Sequence, residues 1–313
     1  MIDCTAAFDG GSPQSRHNPP LHWLASVNLT IEFHLLQFSS MARLSPLRRK
    51  AETDLLAGEE AHAVQGLARG LSVLRAFRPG EGALSNAELA ARTGLSRPTV
   101  SRLTQTLTAL GYLAYVPRLG RYTLGAAIAS LCHSLLSGMP YRIAAQPFLR
   151  EVAETTRLPV SLGARDNLHM INIDTVRHDS APPARFDLGA RIPLATTAMG
   201  RAYLFALPAA ERSGLLDRIR RDAGRDWRAI RDGIDGAFAM LKRRGFCVSD
   251  GEWRADVVGV GAPVVTADGV VLAVNCGGPP FEISEEWAMT DVGPRIAHAA
   301  ASIAGSSAGT AHL

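Results

Sequence analysis

Between residues 100 and 110 the apolar side chains Val100, Leu103, Leu107 and Leu110 recur at spacings of three and four, the period of a helix with one buried face. The same period carries Val64, Leu67, Leu71, Leu74 and Phe77 up to Pro79 and Gly80, and it returns in Ala127, Ile128, Leu131 and Leu135 within a helix over 125–139 that Gly138 and Pro140 end. A further helix is expected over 144–156, with Phe148, Leu149 and Val152 on its apolar face. From Pro159 the pattern shortens to the β-rich runs PVSLGA, HMINIDT and ARFDLG, punctuated by Asp166, Asn167, Pro182 and Pro183. Helical spacing resumes at 197–207, 209–222 and 230–244, the last closing on Lys242, Arg243, Arg244 and Gly245. Three strands follow at FCVSD, DVVGVGAPVV and VVLAVNCG, the last two joined through Asp268 and Gly269, before a helix from Ser284 to Ile303. The fold class is therefore α+β: helices with a hairpin, then six strands in one antiparallel sheet flanked by helices.

Polar punctuation fixes where the first helices begin and end. Ser85 and Glu88 have the S-x-x-E spacing of a capping box, in which the serine side chain takes the backbone N–H at Glu88 and the carboxylate reaches back. Gly94 ends that helix in the left-handed conformation, Leu95 anchors the turn, and Ser96 caps a second helix that has Pro98 in its first turn. This is a helix-turn-helix. The side of the second helix opposite the apolar stripe gathers Arg97, Pro98, Ser101, Arg102 and Gln105 and no acid. Arginine grips guanine or phosphate with a planar fork, and serine and glutamine address base edges or phosphate oxygens. Tyr112–Val116 and Arg121–Leu124 then read as two strands of a wing whose tip carries Arg118 and Arg121 beside phosphate. Thr99 is either a phosphate contact or a local cap, Arg69 either a phosphate contact or a solvated side chain, and Arg92 a solvated helix residue.

Charge is distributed in the same way. The net charge is +4, yet residues 61–125 hold a surplus of six positive charges, residues 1–60 a deficit of two, and residues 126–313 are balanced. The positive excess lies in the segment already chosen for a polyanion, where it supplies steering and sequence-independent affinity. At 313 residues, 47% of them hydrophobic, the chain holds two domains with their own cores. The divisions expected are an extension over 1–60, a winged helix-turn-helix over 61–125, linker helices over 126–157, a second domain over 158–305 and a tail over 306–313. The run LHWLASVNLTIEFHLLQF contains His22, Asn28, Glu32 and His34 and lacks a basic leader, so it reads neither as a membrane span nor as a signal peptide; Met41 is the expected natural start. Cys4, Cys132, Cys247 and Cys276 show no C-x-x-C and no zinc spacing, which points to free thiols in a reducing cytoplasm, with no metal and no cofactor.

Six strings in order, LARGLSVLRAF, LSRPTVSRLTQTL, GARIPLATTAMGRA, GFCVSDGE, GVGAPVV and NCGGP, resemble the IclR family of bacterial transcription regulators over roughly residues 64–305. The resemblance implies an operator-binding winged helix, with Arg69, Ser96, Arg97, Pro98, Thr99, Ser101, Arg102, Gln105, Arg118 and Arg121 facing double-stranded DNA. It also implies a GAF-like domain that senses a small organic acid between the sheet and the TTAMGRA loop-helix. Carried over by position, the effector residues are Ala184, Ile192, Ala198, Met199, Ser249, Val257, Gly259, Asn275 and Gly277. Backbone N–H groups at the helix start near Ala198 and Met199 would suit a carboxylate. A homodimer or homotetramer is expected, and no membrane; the connecting helices read as a spacer, as a dimer seam that also transmits movement, or as both.

The alternative from another class is an enzyme carrying an accessory DNA module. The sequence contains no G-x-S-x-G, H-E-x-x-H or P-loop, GVGAPV lacks the last glycine of the dinucleotide fingerprint, and His169 and Asp174 make no convincing acid-base pair. A winged helix serving as a protein-interaction surface is the third reading, and the arginine surplus argues against it.

Overall fold

The computed structural model describes residues 64–78, 80–178 and 186–306. The expected extension over 1–60, the start at Met41 and residue Ala184 lie outside the described residues, as does all of the tail but its first residue.

The N-terminal unit packs α1 (Gln65–Arg75), α2 (Asn86–Thr93) and α3 (Arg97–Ala109) against a hairpin of β1 (Leu113–Val116) and β2 (Arg121–Leu124). Val73, Leu84, Leu89, Val100 and Leu113 form its core, with Leu74, Phe77, Leu95, Leu103, Leu107 and Tyr122 around them. The capping box forms as expected: the Glu88 N–H donates to Ser85 Oγ, and the Ser85 N–H donates to Glu88 Oε2 at 2.8 Å. Gly94 closes α2 at φ 69°, where a side chain would be strained. Leu84 and Tyr122 exchange two backbone hydrogen bonds of 2.8 Å, which dock the wing onto the strand-like segment before α2.

Two expected stripes are covered differently. On α1 the chain buries Gly70 and Val73, whereas Val64, Leu67 and Leu71 are exposed; on α3 the seam is closed by Val100 and the buried Thr104, while Leu110 is exposed. Thr104 is tolerated there because its hydroxyl bonds Asn86 Oδ1 at 3.2 Å and Ser101 O at 3.0 Å.

α4 (Ala127–Ser137) follows and buries none of its residues, so Leu131 and Leu135 stand exposed. Pro140 does not end a helix here but occupies the first turn of α5 (Pro140–Thr156), a position where its missing N–H costs nothing. α5 starts earlier than its apolar pattern suggested and buries Ala145, Leu149, Val152, Ala153 and Thr156.

The C-terminal domain is built on a six-stranded antiparallel sheet in the order β5-β4-β3-β8-β7-β6. Its strands are β3 (Val160–Asp166), β4 (His169–Val176), β5 (Arg191–Pro193), β6 (Cys247–Asp250), β7 (Val258–Val265) and β8 (Val271–Gly278). The strand expected at ARFDLG is absent over its described part: Phe186–Gly189 is a bend and turn with Gly189 at φ 80°, and the strand lies later, at Arg191–Pro193. Three helices, α6 (Ala198–Ala206), α7 (Ala209–Ala223) and α8 (Trp227–Arg244), separate β5 from β6. The closing helix caps on Ser284, widens into a π turn over Ala288–Val292, and continues as α9 (Gly293–Ser306).

Period-two alternation divides the sheet residues between two cores. Val160, Leu162, Ile173, Val258, Val260, Ala262, Val264, Leu272, Val274 and Cys276 pack against α5 and α9. The other face carries α6 and α8, with Met170, Ala198, Met199, Ala202, Ile234 and Leu241 in its core. Absent side chains let α6 lie on β7: a Cβ at Gly261 would come within 2.7 Å of the Ala198 carbonyl carbon, and one at Gly200 within 2.2 Å of Leu194 O.

Candidate nucleic-acid interface and ligand cavity

The exposed side of α3 presents Arg97, Pro98, Arg102 and Gln105, with Ser96 just before it and Ser101 and Thr99 half-buried at its margin. Ser96 makes no backbone cap; its hydroxyl pairs with Thr99 Oγ1 at 2.9 Å, so Thr99 serves local structure. Arg118 is exposed in the 3-10 turn Pro117–Leu119 at the wing tip.

The arginines of this unit divide into two groups. Arg92, expected to be merely solvated, donates to Ala76 O at 2.9 Å and forms an ion pair with Glu81. Arg121, expected to face phosphate, instead donates to Ala83 O at 2.9 Å and sits 3.3 Å from Glu88, so its guanidinium locks the base of the wing to α2. Arg69 reaches Gln65 Oε1 at 3.3 Å along its own helix. By contrast Arg97, Arg102 and Arg118 make no side-chain hydrogen bond or ion pair among the described residues. Both glutamates of the unit are spent on Arg92 and Arg121, and of the six arginines that remain three, Arg97, Arg102 and Arg118, stand on the face of α3 and the wing tip, the others being Arg69, Arg75 and Arg78. Hydrogen bonding holds both carboxylates ionised: Ser85 for Glu88 and Arg92 for Glu81 each lower the carboxyl below its ordinary range.

The second site is a cavity of about 720 Å³ on the α6 face of the sheet. Ile192, Ala198, Ser249, Val257, Gly259, Asn275 and Gly277 all line it, as the resemblance implied. Met199 does not: its side chain is fully buried under β3, where a Cβ on Gly163 would strike Sδ at 2.2 Å. The start of α6 is also less open to an anion than expected. The Ala198 N–H already donates to Ser249 Oγ at 2.9 Å, and the Gly200 N–H to Thr197 Oγ1 at 3.2 Å. A helix whose first donors are satisfied by the protein offers less to a carboxylate.

Several lining residues escaped the sequence pattern. Ser161 and Asn172 extend Ser249 and Asn275 into a row of small polar side chains across four strands of the cavity floor. Phe186 and Trp253, with ring centroids 4.9 Å apart, and Trp287 and Phe281 give the cavity its aromatic surface. Arg157 stands at the end of α5, φ 59°, without a side-chain partner among the described residues. Glu252 also lines the cavity and is paired with Arg201, a guanidinium only 1% exposed that donates through Nη1 to Glu252 Oε1 at 2.5 Å and through Nε to Ala195 O at 2.9 Å. Arg201 and Glu252 lie near the ends of the strings GARIPLATTAMGRA and GFCVSDGE, which also hold Arg191 and Asp250, so no local signal in the sequence marked the two as partners.

Among the described residues no cluster of His, Cys, Asp or Glu could hold a metal ion, and no helix is long and apolar enough to cross a membrane. Burial pushes the Cys247 and Cys276 thiols up to about 12, which leaves them structural.

Comparison with known proteins covers both parts of the chain. The IclR helix-turn-helix domain matches residues 66–117, and the C-terminal domain of the bacterial transcriptional regulator IclR matches residues 133–304. The chain is 32% identical to the regulator TsaQ1/TsaQ2 of Comamonas testosteroni over 74% of this chain and 84% of that one. It is 30% identical to the Pca regulon regulatory protein of Pseudomonas putida over 66% of this chain and 71% of that one. The crystal structure of an IclR family regulator from Brucella abortus superposes with a TM-score of 0.69 at 40% identity, covering 78% of this chain and 92% of that one. These relatives are transcriptional regulators rather than enzymes. The chain belongs to the IclR family of bacterial transcriptional regulators, with the winged helix as its DNA-binding part and the GAF-like sheet domain as its regulatory part.

Proposed function

We propose that α3 and the wing tip form the operator-reading surface through Ser96, Arg97, Pro98, Ser101, Arg102, Gln105 and Arg118, and that a small organic acid in the cavity changes the operator affinity. The observation that carries the DNA assignment is the division of arginines: those on α3 and the wing tip are unpaired, while Arg92 and Arg121 are consumed internally. An unpaired, exposed guanidinium on an acid-free helix face has a polyanion as its natural partner. The acid assignment rests on Arg157, the unpaired cation on the cavity lining, with the polar floor of Ser249, Asn275, Ser161 and Asn172 to orient a small molecule. One protein of similar fold, from Microbacterium hydrocarbonoxydans, is described as a complex with 4-hydroxybenzoate.

The protein acts in the cytoplasm as a homo-oligomer. Val64, Leu67 and Leu71 on α1 and Leu131 and Leu135 on α4 are apolar side chains left exposed on short helices, and a second copy of the chain would cover them. The acid acts by preferring one arrangement of α4 and α5, so its differential affinity sets the change in DNA binding.

Gel-shift titration of the full chain against the DNA upstream of its own coding sequence tests the first part. Salt-sensitive, saturable binding is expected; absence of binding there and at neighbouring promoters overturns it. Thermal-shift screening of carboxylic acids, repeated on Arg157→Ala, tests the second: acids that stabilise the wild type should lose most of their effect in the variant.

A further inference from the structure

The strand β4 does not run evenly past β3. Leu162 pairs with Asp174 but the next residue, Gly163, pairs with Asn172, so Ile173 is an extra residue and forms a β-bulge. In a regular strand residues 172 and 174 would share one face of the sheet. Here they face apart. Asn172 lines the cavity and its Nδ2 donates to Ser161 Oγ at 3.1 Å, and Thr175 Oγ1 lies 3.0 Å from the same hydroxyl. Between these two, Ile173 and Asp174 both turn to the opposite face, Ile173 into the core that includes α5 and Asp174 onto side chains of α5 itself.

The first turns of α5 grip this bulge. Arg142 Nε donates to the carbonyl of the bulged residue, Ile173 O, at 3.2 Å and lies 3.3 Å from Asp174 Oδ2. Gln146 Nε2 donates to the same carboxylate oxygen at 2.5 Å, and the Thr175 N–H donates to Asp174 Oδ1 at 2.9 Å. The Asp174 side chain is only 6% exposed, so its partners cannot be exchanged for water at little cost. Pro147 comes directly after Gln146 within the helix and lacks the N–H that would bond Ile143 O. The turns that hold Asp174 are therefore tied less firmly to the rest of α5. They are also the turns next to α4, which leads to the winged helix.

Resting on the reading that the arrangement of α4 and α5 sets operator affinity, we infer that the bulge of β4 is the joint through which the sheet domain positions the linker helices, with Asp174 and Arg142 as its positioning residues. Neither residue lines the cavity or belongs to the face of α3. Thr175, bonded to Ser161 on the cavity side, is the chain neighbour of Asp174, so a shift of those hydroxyls reaches Asp174 through the backbone and α5 through the ion pair. Coupling free energy is reciprocal. Operator bound at the winged helix must then alter the bulge, whatever ligand the cavity takes.

The experiment is amide hydrogen exchange, read by mass spectrometry, on the full chain alone and saturated with a duplex of its own upstream DNA, with binding followed by fluorescence anisotropy. In the wild type, exchange over residues 140–146 and 172–176 should change on DNA binding by about fivefold or more, the low end of an allosteric coupling, while α8 stays as it was. Asp174→Asn keeps the size of the side chain and removes the charge that holds Arg142. In that variant the response of 172–176 should be lost and that of α3 kept. A merely structural Asp174 would loosen the free and the bound protein alike and leave the response to DNA in place, which overturns the inference. Should Asp174→Asn fail to fold, Arg142→Met, at a partly exposed position, should show the same loss, and a retained response there overturns the inference equally. A response in 140–146 without one in 172–176, or one that spreads equally to α8, overturns the joint and leaves the linker reading standing. DNA binding with no response in either segment overturns both, and no DNA binding by the wild type overturns the operator reading and the joint with it.

Discussion

The guanidinium of Arg201, almost wholly inside the domain, meets the carboxylate of Glu252 on the cavity wall in a two-pronged ion pair. The two partners are unequal, because Glu252 is 36% exposed and Arg201 only 1%. Removing the carboxylate strands a buried charge, whereas removing the guanidinium leaves an acid that water reaches. Glu252→Ala should therefore destabilise the domain by about 3 kcal/mol, and Arg201→Met by clearly less. Denaturant melts of the two variants decide this; equal losses, or a larger loss in Arg201→Met, would mean that the pair is not the element that holds the wall.

Acid should loosen the winged helix through Glu88. Its carboxyl lies below the ordinary glutamate value of 4.5, first because Ser85 hydrogen-bonds the charged form. A carboxyl whose folded pKa is depressed contributes stability that is complete above the unfolded value and is lost as pH falls through the folded one. Amide exchange of α2 in the wild type and in Glu88→Gln should thus differ most above about pH 4.5 and converge below it. A difference that stays constant down to pH 3.5 would contradict this.

Much of the fold is legible in the residues themselves, and the misses share one cause. Ser85, Glu88 and Gly94 announce α2 because caps are local chemistry, and Asp268-Gly269 announces its hairpin in the same way. Periodicity, however, says that a stripe is apolar without saying what covers it. Val64, Leu67, Leu71 and Leu110 read as core and are exposed, while Thr104, outside the apolar stripe, is buried with its hydroxyl on Asn86. The candidate site follows the same division. Positions carried over from the family resemblance, such as Ser249, Asn275 and Gly277, fall on the cavity, but Met199, carried over in the same way, packs against β3 and Arg121 turns to Glu88. Long-range pairings such as Arg201 with Glu252, 51 residues apart, leave no local trace.

Thiol reactivity should follow burial. Cys132 is exposed, and Cys247 and Cys276 are buried with their thiols pushed up to about 12. At pH 8 iodoacetamide should label Cys132 in the native protein and spare Cys247 and Cys276, whose thiolates burial disfavours. Peptide mapping checks this. Rapid labelling of Cys247 or Cys276 without denaturant would show that the sheet opens far more readily than its packing implies.

The division between paired and unpaired arginines is tested most directly by fluorescence anisotropy on a labelled fragment of the chain's own upstream DNA, read across a series of salt concentrations. Replacing Arg97 and Arg102 together with alanine should weaken binding by about tenfold or more and flatten the dependence of log K on log salt by up to about two, without altering the melting of the protein. Unchanged affinity and an unchanged salt slope in a folded double variant would contradict the assignment of α3 as the surface that holds DNA.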